Sequence, residues 1–257
     1  MGRFRWRSGV WAVIFVAGLI STAVASATPI PTASHWIVNS EATSGAGLIF
    51  RSPPIFSGTT ATFSQNSTNF LYYPAAAPGT ANAIESVGFD STTFVGGSSG
   101  TALVNSTWFI NATEFAGLHC YNAPGRGNFT VNVLLEENVY DISSHSWLLP
   151  ANQSIPILPA NDTGYSGSCP PSPGWLWLHS GPVQGQVLAG AYTVSSGFTL
   201  TKGSIYFVST AVHVTTVADE YGASDMWVYA CINFDGSAGC HTGSVPGNAK
   251  LATISVA

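Results

Sequence analysis

The residues able to do chemistry are few and scattered. The six histidines are His35, His119, His145, His179, His213 and His241. No two stand as His-x-His or His-x-x-x-His, so no zinc-type ligand spacing is present. The four cysteines, Cys120, Cys169, Cys231 and Cys240, contain no Cys-x-x-Cys pair, which gives no support to a zinc ribbon or a thioredoxin-like redox site. Acidic residues come close together at Asp219, Glu220 and Asp225. That stretch is rich in oxygen ligands but lacks the spacing of a calcium loop; a solvated loop between buried strands is the simpler reading. Gly-x-Ser-x-Gly is absent, so no nucleophile elbow is expected. Glycoside hydrolysis needs two carboxylates facing each other across a cleft, and nothing singles out a pair among the twelve acids. The sequence therefore assigns no catalytic residue, no metal site and no cofactor.

Aromatic residues are more suggestive. Trp175 and Trp177 follow a Pro-Pro-Ser-Pro-Gly stretch at i and i+2. On a strand they project from one face, about 7 Å apart, and an aromatic face matches the apolar C–H face of a pyranose. The competing reading makes both residues core anchors, since aromatics dominate core burial.

Charge and targeting narrow the setting. Three of the seven basic residues lie in Met1–Arg7; an apolar run from Val10 to about Ala25 and the small residues Ala23, Ala25 and Ala27 follow. Basic flank, apolar run and small-x-small site are the parts of a secretory signal, so residues 1–27 are read as a signal peptide. An uncleaved N-terminal anchor is the alternative, and then the membrane is touched only through that segment. Residues 28–257 keep four basic residues against twelve acidic ones, a formal charge of −8. Phosphate binding needs clustered Lys and Arg, so no nucleic-acid partner is expected. Only 7% of residues are charged, against about a quarter in ordinary domains. Ser, Thr, Asn and Gly take their place.

An even cysteine count in an oxidising compartment favours two disulfides, assigned by nearest neighbours as Cys120–Cys169 and Cys231–Cys240. Six sequons, at Asn66, Asn105, Asn111, Asn128, Asn152 and Asn161, are candidate glycosylation sites, and each predicts local exposure.

Short β-branched and aromatic runs alternate with Gly, Pro, Asn and Ser clusters throughout residues 35–257. Thirteen candidate strands result, the pattern of an all-β sandwich or barrel. The expected fold is one antiparallel β-sandwich over 35–257, jelly-roll or Ig-like, after a 28–34 linker and the N-terminal hydrophobic helix. Phe129, Val131, Val133 and Leu135 are expected on one face. Ile205–Val214 is apolar on both faces and is expected to be covered on both sides. Gly117–Gly127 and Pro159–Gly174 read as long loops, Val217–Ala223 as a short helical turn, and Leu251–Ala257 as a strand that either closes its own sheet or offers a free edge. The functional expectation is a non-catalytic extracellular or cell-surface component of structural, adhesive or filament type. The alternatives are a carbohydrate-binding module using Trp175 and Trp177, or a secreted hydrolase with an unrecognised acidic pair. Expected partners are envelope polysaccharide or other copies of the chain.

Overall fold

A computed structural model describes residues 27–71, 79–120, 124–149, 154–158, 163–168, 174–177, 186–220, 226–234 and 247–257. Within 69–71, 115–126, 154–187 and 226–229 it describes the backbone alone. The expected signal, apart from Ala27, lies outside the described residues. Sixteen strands follow, and no helix occurs among the described residues. They begin with β1 (Thr28–Pro29), β2 (Thr32–Ser44), β3 (Gly47–Ser57), β4 (Thr60–Leu71), β5 (Gly79–Ser91) and β6 (Phe94–Val95). They continue with β7 (Gly100–Cys120), β8 (Pro124–Asp141), β9 (Ser146–Trp147), β10 (Ser154–Leu158) and β11 (Thr163–Ser168). The last are β12 (Gly174–Trp177), β13 (Gln186–Leu200), β14 (Ile205–Glu220), β15 (Met226–Asn233) and β16 (Asn248–Val256).

The strands form two eight-stranded antiparallel sheets, and the protein is β-sandwich-like. The first sheet is built around β7, which pairs with β13, β15, β16 and β12; β3 and β4 extend it. The second runs β10-β8-β14-β5-β2. Pairings are nested: the β3–β4 hairpin of the first sheet lies, in sequence, between the paired strands β2 and β5 of the second. Likewise β8–β14 lies inside β7–β16.

Two-residue periodicity decides what faces inward. On β8, Phe129, Val131, Val133 and Leu135 are all buried in the core, as their alternation predicts. On β14, Tyr206, Val208, Val212 and Val214 are buried on the inner side. Phe63 stacks on Phe234 at 4.5 Å within the first sheet. Hydrogen bonds also tie the sheets together. Gln65 Nε2 donates to the Ala83 carbonyl at 2.8 Å and to Thr216 Oγ1 at 2.9 Å. Trp108 Nε1 donates to Thr210 Oγ1 at 3.0 Å.

Several expectations are corrected. Residues 28–34 are not a free linker: β1 pairs with β16, and β2 already begins at Thr32. Much of the Gly117–Gly127 segment is strand, because the ends of β7 and β8 stay in register with β12, β15 and β11. Part of Pro159–Gly174 is likewise paired, as β11 against β8. Small residues suit strands closely flanked by other backbones. Val217–Glu220 is the end of β14, not a helical turn. The C-terminal strand closes its own sheet, with β7 on one side and β1 and β4 on the other.

Candidate functional site

The outer face of the second sheet carries a groove of about 560 Å³. Its floor is β14. There Ser209 pairs with Asp90 of β5 and Asn138 of β8, and Ala211 pairs with Gly88 and Glu136. Two rows of outward-facing residues thus cross three strands, about 7 Å apart along the chain direction. Ser209 and Ala211 are small, which leaves the floor low. Both are nonetheless buried, because large side chains lean in from either side. This explains the two-faced apolar character of β14.

One wall is Trp36 on β2. It pairs with Gly88, and its indole lies against that glycine; a Cβ at position 88 would overlap the six-membered ring. The indole N–H is shared between Asp90 Oδ1 at 3.1 Å and Ser209 Oγ at 3.2 Å. Ser34 Oγ donates to the other Asp90 oxygen at 3.2 Å. Trp36 is therefore fixed by both packing and hydrogen bonds. The other wall is Trp147 on β9, 52% exposed. It packs edge-on to Tyr140 at 4.9 Å and to Phe207 at 5.9 Å. The walls converge over β14, since Ser209 and Phe207 are two residues apart. Between them stand the polar groups of Asp90, Glu136 and Asn138. Among the described residues, acidic side chains and no basic one line the groove, so it disfavours anionic ligands.

Gly88 offers a direct test of how Trp36 is held. Gly88→Ala is expected to push the indole off the floor, lowering stability by about 1–3 kcal/mol, the usual range for overpacking. Denaturant unfolding together with the near-ultraviolet dichroism of the indoles checks this. An unchanged spectrum with unchanged stability would show that Trp36 does not rest on Gly88.

Other candidates fall elsewhere. Trp175 and Trp177 sit on β12, at the edge of the first sheet. The register aligns Trp175 with His119, His119 with Trp227, and Trp227 with Phe70. Trp177, Gly117, Tyr229 and Thr68 form the neighbouring row. The side chains of Trp175 and Trp177 lie outside the described ones. Asp219 and Glu220 are consecutive on β14 and face opposite sides of the sheet; Glu220 is buried and Asp219 is partly exposed. Asp225 lies outside the described residues. No cysteine is free among the described residues, and Cys231 is disulfide-bonded and buried. Its pairing lies beyond the described side chains.

The sequon asparagines Asn66, Asn105, Asn111 and Asn128 lie mid-strand and are only half exposed, less open than a glycan acceptor was expected to be. Asn105 Oδ1 also accepts a hydrogen bond from Ser195 at 2.5 Å. Asn152 and Asn161 lie outside the described residues.

Two carboxyl groups inside the sandwich are strongly perturbed. Glu137, on the inner face of β8, is pushed up to about 7 by burial. The Ser106 and Ser196 hydroxyls pull it only part of the way back. Glu85, inward on β5, is also pushed up to about 7 by burial. Arg51 lowers it, and Glu41, itself paired with Arg51 at 2.6 Å, raises it.

Compared with known proteins, the chain matches no family model, no curated protein and no solved structure. The fold and the site define its class: a β-sandwich-like protein with an aromatic-walled, acidic groove on one outer sheet face.

Proposed function

We propose that this is an exported cell-surface or extracellular domain of adhesive type, which holds a neutral or amino-sugar glycan in the groove between Trp36 and Trp147. One observation carries the reading: a fixed indole and an exposed indole converge over a floor of small residues edged by Asp90, Glu136, Asn138 and Ser209. Sugar binding asks for this combination, with rings to stack on C–H faces and short polar side chains to meet hydroxyls. The acidic lining favours hydroxyl- or ammonium-bearing sugars over uronates. Export is supported by the N-terminal segment and by a surface poor in Lys and Glu. The nested strand pairing supports a jelly-roll winding of the sandwich.

The platform of Trp175 and Trp177 is the second location for the same function, favoured by the register that lines them up with His119, Trp227 and Tyr229. The test is binding of the purified protein to immobilised neutral, amino-sugar and uronate polysaccharides. Retention on the first two classes, without hydrolysis, is expected. Retention on uronates alone contradicts the reading, and so does turnover lost on replacing Asp90 or Glu136.

A further inference from the structure

We infer that β2 is the strand through which two copies of this chain join their second sheets edge to edge. The open side of the sandwich is formed by β2 from one sheet and β3 from the other. Among the described residues each pairs on one side only, β2 with β5 and β3 with β4. An edge strand leaves alternate N–H and C=O groups facing outward, which invites pairing unless it is guarded. The two edges differ in this respect. β3 carries Pro53 and Pro54, and its register breaks between Ser52 and Ile55. Prolines and irregularities are the devices that stop edges from pairing.

β2 lacks both devices; what is set against it is the Arg51 guanidinium of β3, which donates to the Ser40 carbonyl at 3.4 Å. Thr32–Ser44 contains no proline and no lysine, and its register is regular after Ser34. Its one charged residue, Glu41, is already held by Arg51. Its exposed apolar residues include Ile37 at 42% and Val38 at 60%.

The occupant is a second copy because the strand is complementary to itself. In an antiparallel pairing centred on Val38, Val38 meets Val38 of the other copy. Trp36 meets Ser40, and His35 meets Glu41. By symmetry the last two contacts occur twice. His35, stacked on Phe56 of its own copy, is thus set opposite the Glu41 carboxylate that Arg51 also holds, and no like charges face each other, an arrangement compatible with cross-strand pairing. Such a two-fold axis stands perpendicular to the joined sheet, so both Trp36 grooves open on the same outer face. Trp36 and Val38 line the groove as well as the seam, so the pairing borders the proposed site.

Sedimentation equilibrium of the purified protein from about 1 to 300 µM, a span covering weak edge contacts, is the test. A monomer–dimer equilibrium is expected. Val38→Lys, which sets two lysines at the axis, should weaken it about tenfold or more. Leu103→Lys, at a 50% exposed position on the first sheet, should leave it unchanged. Val38→Cys should crosslink under mild oxidation, since paired Cα atoms lie about 5 Å apart, whereas Leu103→Cys should not. A monomer across the whole range overturns the inference, as does a dimer that Val38→Lys leaves intact.

Discussion

Unfolding free energy is expected to fall by about 4 kcal/mol between pH 5 and pH 8, as two buried carboxyl groups lose their protons. Glu85 and Glu137 each hold a proton in the fold up to about pH 7. In the unfolded chain they lose it near the ordinary carboxyl value of about 4.3. Between those limits the folded state binds more protons than the unfolded one, so stability falls as pH rises. The contribution is fully present below the unfolded value. It is lost through the window and levels off above about pH 7. The full shift corresponds to about 3 kcal/mol per group; allowing for relaxation and water entry, about 2 kcal/mol each is the realistic scale.

Glu137 is the cleaner probe, because Arg51 compensates part of the ionised form of Glu85. Glu137→Gln should raise stability at pH 8 by about 2 kcal/mol and remove about half of the slope. Urea unfolding of both proteins at pH 5 and pH 8 checks this. Stability that is flat or rising across the window, or a Glu137→Gln protein with the unaltered slope, would exclude it. Low pH is benign on the same grounds.

Removing both groove walls should abolish glycan binding while leaving the fold in place. Truncating a stacked tryptophan in an interface costs about 2 kcal/mol or more, so Trp36→Ala with Trp147→Ala should weaken affinity by roughly a thousandfold. Trp147 is half exposed and lies outside the buried core, so its loss should cost little stability. Trp36 covers Gly88 and Ser209, and its removal should cost about 1–2 kcal/mol. Calorimetric titration with an oligosaccharide from a retained polysaccharide, beside a thermal melt, separates the two effects. Affinity within a factor of about three of the original protein would move the site elsewhere, first to Trp175 and Trp177.

The fold was legible where local pattern carries it. Alternation at Phe129–Leu135 located the core face of β8. The apolar residues on both faces of Ile205–Val214 announced a strand covered on both sides. What the pattern could not show is what covers the outer side. The groove takes residues from β2, β5, β8, β9 and β14, neighbours in space and mostly far apart in sequence. Trp36 and Trp147 each stand alone in the sequence, whereas Trp175 and Trp177 form a visible pair, so only the pair signals a platform. Glycine misled in both directions. Read as loop, Gly117 and Gly127 belong to paired strands. Gly88 looked like any strand residue, although it is the seat of the Trp36 ring. The burial of Glu85 and Glu137 was hidden for a similar reason: an acid on a strand reads as solvent-facing until the opposite sheet is placed over it.

The site itself is tested most directly by the indole N–H resonances of the protein during titration with a bound oligosaccharide. Six tryptophans follow residue 27, and the buried indole of Trp108, fixed on Thr210, serves as an internal reference. Saturable shifts at Trp36 and Trp147, with Trp108 unmoved, are the expected result. Saturable binding that shifts other indoles and leaves Trp36 and Trp147 unmoved would contradict the assignment of the groove.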